Sequence, residues 1–570
     1  MRGIRDFRRH ALTLAQILVT ATTYMEAPSG IAGERSSAER SAAILFGAIA
    51  CVVALQIALA FVKSINWDEF YHFSEIHARL SGRPVDALQT PYSYLFGFVT
   101  DWPGSTIDHI RYTRLLILPF ELLLVGSVVI AARRFVSLAP AIASGLLYLS
   151  AGYVFTQALS LRADIIAASL IMAAIAIGLH RPLRPVTLSV IALLCLLAFV
   201  STIKVLLYAP ALLAVLIVRR EALKSARPII GTLALAAFAI AGVTAFVNPD
   251  VPDYLIDKLM RAATRMFGGG ILPQDRYFVR QVAFAIPFAL ALIAFVPWVW
   301  RSEASRERKA ALALFVLPAF WPILYFNAYP YFYAFMLPPV AVGLSPVVAI
   351  ALQRYGTTAL AGICLLSALI LWAQEPRGPL AVQQTLNVQT REIFPEPVPY
   401  IDESGIIGDY PRAVSHYASG WALAKYWKAG HAEYRASVLN DTVPLLITNS
   451  YALANVFAPT GAPDRLLPED EAFLRANYIP HAGMIHVAGK RLAPNVRSPN
   501  EFVATPGTYR VEGGRLQIDG RTVVPGETVK LDRGHHDLAN LSSSPVILRW
   551  ADAGPPKDSR ITLQDMFTDF

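Results

Sequence analysis

Two adjacent carboxylates, Asp68 and Glu69, stand in the stretch Asn66-Trp67-Asp68-Glu69-Phe70-Tyr71-His72. An uncharged run from Ser41 to Val62 precedes them. That run is long enough to cross a bilayer core, which takes about 20 residues. The pair therefore sits where a membrane span meets water. Charge at that depth is costly unless it faces a polar cavity, so an acidic pair there points to a functional site. The plainer alternative is a span end that happens to be acidic. A positioned carboxylate can take a proton, which makes general-base chemistry the first candidate.

Cations recur at other breaks in the apolar pattern. Arg162 and Asp164 lie in a short loop, Lys204 interrupts the apolar stretch 186–218, and Arg276 follows Pro273-Gln274-Asp275. Clustered on one face, they would suit an anionic ligand such as a phosphate. Each also has a plainer reading: pairing with anionic headgroups, a snorkelling lysine, or a loop ion pair for Arg162 and Asp164. His72, Glu75, Ile76 and Arg79 recur at helical spacing, which predicts a short helix lying on the membrane surface. His72, His77 and Glu75 leave a divalent metal open as an alternative, although histidines five apart fit one helix face poorly.

The elements that must position these groups follow from composition. The chain has 570 residues, 55% hydrophobic and 16% charged, with mean hydropathy +0.45. A soluble domain carries about 25% charged residues, so this is a polytopic membrane protein. Net charge is +9, and the basic residues collect at the ends of apolar runs, as topology requires, which argues against nucleic-acid binding. Cys51, Cys195 and Cys364 lie inside apolar runs and show neither disulfide nor zinc spacing. Residues 1–40 read as a cytoplasmic or interfacial arm.

Residues 41–373 read as about 11 spans, with the N-terminus inside and the C-terminus outside. The stretch 186–218 has basic residues at both flanks. The positive-inside rule therefore favours two short spans turning at Ser201-Thr202-Ile203-Lys204, with Lys204 outside. From Gln374 proline and charge rise, and an outer soluble α/β region is expected over 374–505. Gly and Pro turns between alternating apolar residues predict a β module over 506–570. The expected fold class is a polytopic all-α membrane body followed by an extracytoplasmic mixed α/β domain.

Trp67-Asp68-Glu69, Arg162-Ala163-Asp164, Thr202-Ile203-Lys204 and Phe332-Tyr333-Ala334-Phe335-Met336-Leu337-Pro338-Pro339, in that order, resemble the GT-C membrane glycosyltransferases. The branch is that of the protein O-mannosyltransferases and lipid A aminoarabinose transferases. The tail segments Gly420-Trp421-Ala422-Leu423 and 483–490 are similar to outer domains of bacterial members. The resemblance covers about residues 41–373, more by order and position than by long identities. It implies a polyprenyl-phosphate sugar donor and an extracytoplasmic glycan, lipid or protein acceptor. No cofactor is expected beyond the divalent metal left open above, and the expected setting is a bacterial inner membrane with the C-terminal domain periplasmic. Asp68 would be the base with Glu69 beside it. Lys204, Arg162 and Arg276 would hold the donor phosphate, with Asp164 and His72 in support. A flippase or transporter of lipid-linked sugars and a glycan polymerase are the rival classes. A transporter would show repeats or mid-membrane breaks, and no internal repeat is evident.

Overall fold

The computed structural model describes residues 32–83, 90–222, 268–414, 420–458 and 465–555, with isolated positions 224, 260, 264, 563, 566 and 567. Residues 1–31 of the expected N-terminal arm and the expected seventh span, 229–247, lie outside the described residues, and residues 32–40 open the helix Ala32–Val62, continuous with the first span.

Among the described residues four helices are long and apolar enough to cross a membrane: Ser37–Val62, Thr106–Ala132, Ala163–His180 and Thr357–Gln374. Two bent pairs, Asp275–Phe284 with Ile286–Arg301 and Pro330–Gly343 with Ser345–Tyr355, bring the count to six if each is one span. Leu138–Leu149, Pro185–Ser201 and Ile203–Val218 are shorter apolar helices. The short helices cover expected spans at about 137–156 and in the two halves of 186–218, and the bent pairs cover the expected spans ending at Trp300 and near Arg354. The ninth begins as helix Arg306–Val316 and tightens to a 3-10 turn at Leu317–Ile323.

Local chemistry explains how the irregular helix Pro330–Gly343 survives in an apolar setting. Pro338 and Pro339 lack N–H groups, which leaves the carbonyls of Ala334 and Phe335 without helical donors. In a nonpolar environment such orphans must be filled by neighbours. The Tyr148 hydroxyl donates to the Ala334 carbonyl at 2.8 Å, and the Tyr208 hydroxyl donates to that of Phe335. All fourteen residues of this helix are buried, so it forms the centre of the bundle.

The 186–218 stretch turns back on itself. Helix Pro185–Ser201 ends at Thr202, a 3-10 turn covers Ile203–Tyr208, and helix Ala209–Val218 returns. Arg219 donates to the Arg181 carbonyl at 2.9 Å, so the chain comes back to the end from which it started.

The C-terminal part opens with helix Gly378–Ile393. Helices Gly420–Ala429 and Pro468–Asn477 follow, at the two segments whose sequence reads as helical, 421–426 and 468–478. The strands are β1 (Tyr400–Ile401), β2 (Leu445–Ile447), β3 (Tyr478–Ala482), β4 (Ile485–Leu492), β5 (Arg497–Val503), β6 (Gly507–Glu512), β7 (Leu516–Ile518), β8 (Arg521–Val523), β9 (Thr528–Leu531), β10 (Gly534–Asn540) and β11 (Val546–Trp550). A seven-stranded sheet runs β1-β2-β4-β11-β6-β9, with β3 also on β4, and a four-stranded sheet runs β5-β10-β7-β8. The first sheet contains strands from both sides of residue 506. The hydrogen-bonded pairs Leu548↔Lys490 and Arg549↔Gly489 carry it across the boundary drawn from sequence.

This part is fastened to the end of the first helix. The Gln383 amide accepts from Ile65 N at 2.9 Å and donates to Ile65 O at 2.8 Å. Lys63 donates to the Thr156 carbonyl at 2.9 Å and lies 3.2 Å from Glu375. Phe567 meets the rings of Trp67 and Phe70 edge-on.

Candidate active site

Asn66 starts the short helix Trp67–Leu80 with a capping box. Its side chain accepts from Asp68 N at 2.9 Å, and the Glu69 carboxylate accepts from Asn66 N at 3.3 Å. Carboxylates in a first helical turn also complement the helix dipole. The sequence thus places Asp68 and Glu69 on adjacent positions of one rigid turn, but their side chains meet different partners.

Glu69 is 1% exposed and faces inward. Arg114, in helix Thr106–Ala132, binds it with Nε at 2.9 Å and a terminal nitrogen at 2.5 Å. Leu161 N donates to the same carboxylate at 2.9 Å. Burial alone would raise the Glu69 pKa; the Arg114 charge and these hydrogen bonds outweigh it and hold the carboxyl below its usual range. Arg114 also donates to the carbonyls of Ala60, Lys63 and Ser64 at 3.0, 3.1 and 2.9 Å, which closes the C-terminal end of the first helix. Glu69 and Arg114 therefore join the first span, the loop helix and the second span.

Asp68 is nearly buried and pairs with Arg162. Arg162 is the N-cap of helix Ala163–His180, and its Nε reaches Asp164 Oδ2 at 3.2 Å. Asp164 Oδ1 accepts from Lys204 Nζ at 2.7 Å. The ring of Tyr331 lies beneath both cations, 3.4 Å from the Arg162 guanidinium carbon and 4.8 Å from Lys204 Nζ. Four charged groups from three separate chain segments thus form one chain, Asp68–Arg162–Asp164–Lys204, on an aromatic floor. Its two cations balance its two carboxylates, so an entering phosphate would have to compete with Asp68 and Asp164.

His72 and Arg276 stand apart from that chain. His72 Nδ1 is 2.7 Å from the Tyr92 hydroxyl, which also binds Glu75. The residues proposed for a metal do not converge: His77 turns toward Phe73, at 5.2 Å between ring centroids, while His72 faces Tyr92. Among the described residues no three His, Cys, Asp or Glu side chains gather in metal-binding geometry. Arg276 is exposed, and it donates to the Tyr277 hydroxyl at 2.5 Å. Tyr277, Tyr329 and Tyr331 follow in ring-to-ring contact, 5.7 and 6.1 Å apart, so Arg276 sits at the rim of the aromatic floor.

Sequence reasoning did not single out Arg114. Its signal was available: Arg114 opens an apolar run and needs a carboxylate, and Glu69 had no lysine or arginine close by in sequence. Tyr331 was not singled out either.

No protein-family model matches this sequence, and no curated protein matches it. Among solved structures the chain is similar to ArnT from Cupriavidus metallidurans bound to undecaprenyl phosphate. The TM-score is 0.50 at 12% identity, over 72% of this chain and 94% of that one. It is also similar to the archaeal oligosaccharyltransferase AglB from Archaeoglobus fulgidus in complex with an inhibitory peptide and a dolichol-phosphate. Here the TM-score is 0.48 at 10% identity, over 91% of this chain and 97% of that one. ArnT, the lipid A aminoarabinose transferase, and AglB are both GT-C glycosyltransferases, and the fold of this chain is the one seen in ArnT.

Proposed function

We propose that the protein is a bacterial inner-membrane glycosyltransferase with its C-terminal domain on the periplasmic side. It moves a sugar from a polyprenyl-phosphate donor to an extracytoplasmic glycan, lipid or protein acceptor, with inversion at the anomeric carbon. The observation that carries this reading is the ion-paired chain Asp68–Arg162–Asp164–Lys204 over Tyr331, at the outer end of a span. ArnT bound to undecaprenyl phosphate and AglB in complex with a dolichol-phosphate share the lipid-phosphate class of ligand.

The donor phosphate exchanges one carboxylate partner of Arg162 for its own oxygens, and Lys204 takes a second oxygen. Asp68 is then freed from the guanidinium and faces the acceptor. The acceptor oxygen forms the bond to the anomeric carbon as the bond from that carbon to phosphate oxygen breaks. The electron pair leaves with the phosphate, and the hydroxyl proton passes to Asp68. Phosphate is a good leaving group, so the larger demand is on Arg162 and Lys204, whose fixed positive charge meets the charge that develops on the departing oxygen. Asp164 holds Lys204 in place, and Glu69 with Arg114 holds the helix turn that carries Asp68. Arg276, at the rim of the tyrosine row, is a later contact for the same lipid phosphate, and His72, held by Tyr92, supports the helix that carries Asp68.

The test is incubation of the purified protein with undecaprenyl-phosphate sugars and with glycan, lipid and peptide acceptors, read by mass spectrometry. A glycosylated acceptor together with free undecaprenyl phosphate is the expected result. Translocation of the lipid-linked sugar across vesicles, with no new glycosidic bond, would put the flippase class in its place.

A further inference from the structure

The helix that carries Asp68 packs against a second acidic pair, Asp402 and Glu403, from the C-terminal part of the chain. Asp402 and Glu403 follow β1 directly. The Asp402 carboxylate accepts from Gly405 N at 2.9 and 2.8 Å, Ile406 N at 2.8 Å, and the side chains of Asn449 and Arg412 at 3.4 Å each. Glu403 N donates to Asn449 Oδ1 at 2.8 Å. The backbone of this loop is therefore fixed from both sides.

Glu403 is 8% exposed, yet among the described residues its carboxyl has no hydrogen-bond or ion-pair partner. A carboxyl this enclosed, satisfied by no protein group and with oxygens that still reach solvent, is open to a ligand. The loop lies on the helix that carries Asp68. Gly405 has φ +87°, and a Cβ there would come within 2.6 Å of Ser74 Cβ, so only glycine permits this approach. Arg412 covers the Tyr71 ring at 5.5 Å. Tyr71 follows Asp68 by about one turn of the same helix, and Ser74 follows Tyr71 by about one more. Burial first, then the charges of Asp402 and Asp68, push the Glu403 carboxyl well above the usual range. Kept protonated, it offers one donor and one acceptor.

We propose that Glu403 is an acceptor-binding residue that hydrogen-bonds a second hydroxyl of a sugar-type acceptor while the adjacent hydroxyl is presented to Asp68. The proposal rests on the glycosyl-transfer reading and names its acceptor class. A vicinal diol fills both carboxyl groups, whereas a simple alcohol fills Asp68 and leaves Glu403 bare. A site built to bond a hydroxyl discriminates strongly against an analogue that lacks it.

The experiment uses the full-length protein in nanodiscs, with undecaprenyl-phosphate-linked sugars as donor and methyl glycosides or a serine peptide as acceptor. Glu403→Leu should raise the glycoside KM about tenfold or more, the scale of one lost hydrogen bond. Glu403→Gln, which keeps hydrogen bonding, should recover most of that loss. Both variants should keep kcat and undecaprenyl phosphate affinity, which a general structural defect would not spare. Equal glycoside KM in wild type and both variants, or transfer to the peptide alone, overturns the proposal. A wild-type protein that binds no undecaprenyl phosphate overturns the donor reading itself, an outcome separate from a KM that Glu403 does not govern.

Discussion

Lys204 reaches Asp164 at 2.7 Å from the turn of a hairpin whose other end is tied back at Arg181. The two residues are neighbours only because helix Ala163–His180 starts where the hairpin turns. Lys204 is thus held by a carboxylate beside Arg162 and over Tyr331, the place a lipid phosphate would occupy. Lys204→Ala and Arg162→Ala should each weaken undecaprenyl phosphate binding by about tenfold or more, since a charge-assisted hydrogen bond is worth about 1.5–3 kcal/mol. Lys204→Arg should keep part of the affinity, because charge survives while geometry changes. Unchanged affinity in both alanine variants would remove these residues from the donor site.

Glu69 and Arg114 are 1% and 2% exposed and satisfy one another. Breaking such a buried pair by removing one partner costs about 3–5 kcal/mol, because the other charge is left uncompensated. Arg114→Met should lower the thermal midpoint of the purified protein sharply. Glu69→Gln combined with Arg114→Met should be less damaged than Arg114→Met alone. Equal midpoints for wild type and Arg114→Met would show that the pair does not anchor the loop helix.

Much of this arrangement was legible in the sequence, and the parts that were not share a physical cause. Asp68, Arg162 and Lys204 each interrupt an apolar run, so their cost in a membrane flagged them singly. The hairpin followed from basic flanks on both sides of 186–218. The division at residue 506 did not capture β4 pairing with β11, because register between distant strands leaves no local pattern. The resemblance pointed to Asp68 as the base with Glu69 beside it, but the sequence did not show that Glu69 is a buried anchor. Both read as acids at a span end, and only packing against Arg114 turns one of them inward. Glu403 carried no signal at all, since its neighbourhood with Asp68 exists only after the C-terminal part docks.

His77 gives a pH signature for that docking. Gly408 leaves little room between itself and the His77 ring, and burial first of all pushes the His77 pKa down to about 4. The unfolded chain takes up this proton near 6.5, the folded chain only near 4. Stability from neutral His77 is therefore full above pH 6.5 and falls as pH drops from 6.5 toward 4. His77→Gln should flatten the thermal midpoint across that window. An unchanged pH slope in the variant would assign the acid sensitivity to other groups.

The orientation of the C-terminal part is testable at Thr522, which is exposed on β8. Thr522→Cys should react with an impermeant thiol reagent in intact spheroplasts. Labelling only after lysis would reverse the assignment of this part to the periplasmic side.

In the proposed reaction glycosyl transfer turns on Asp68, and Asp68→Asn tests that most directly. Asparagine keeps the size and hydrogen bonding of the side chain but takes no proton at neutral pH. With undecaprenyl phosphate affinity measured in parallel, transfer should fall about a hundredfold to ten-thousandfold while affinity is retained, as expected for a lost general base. Transfer at the wild-type rate by the Asp68→Asn protein would contradict the account.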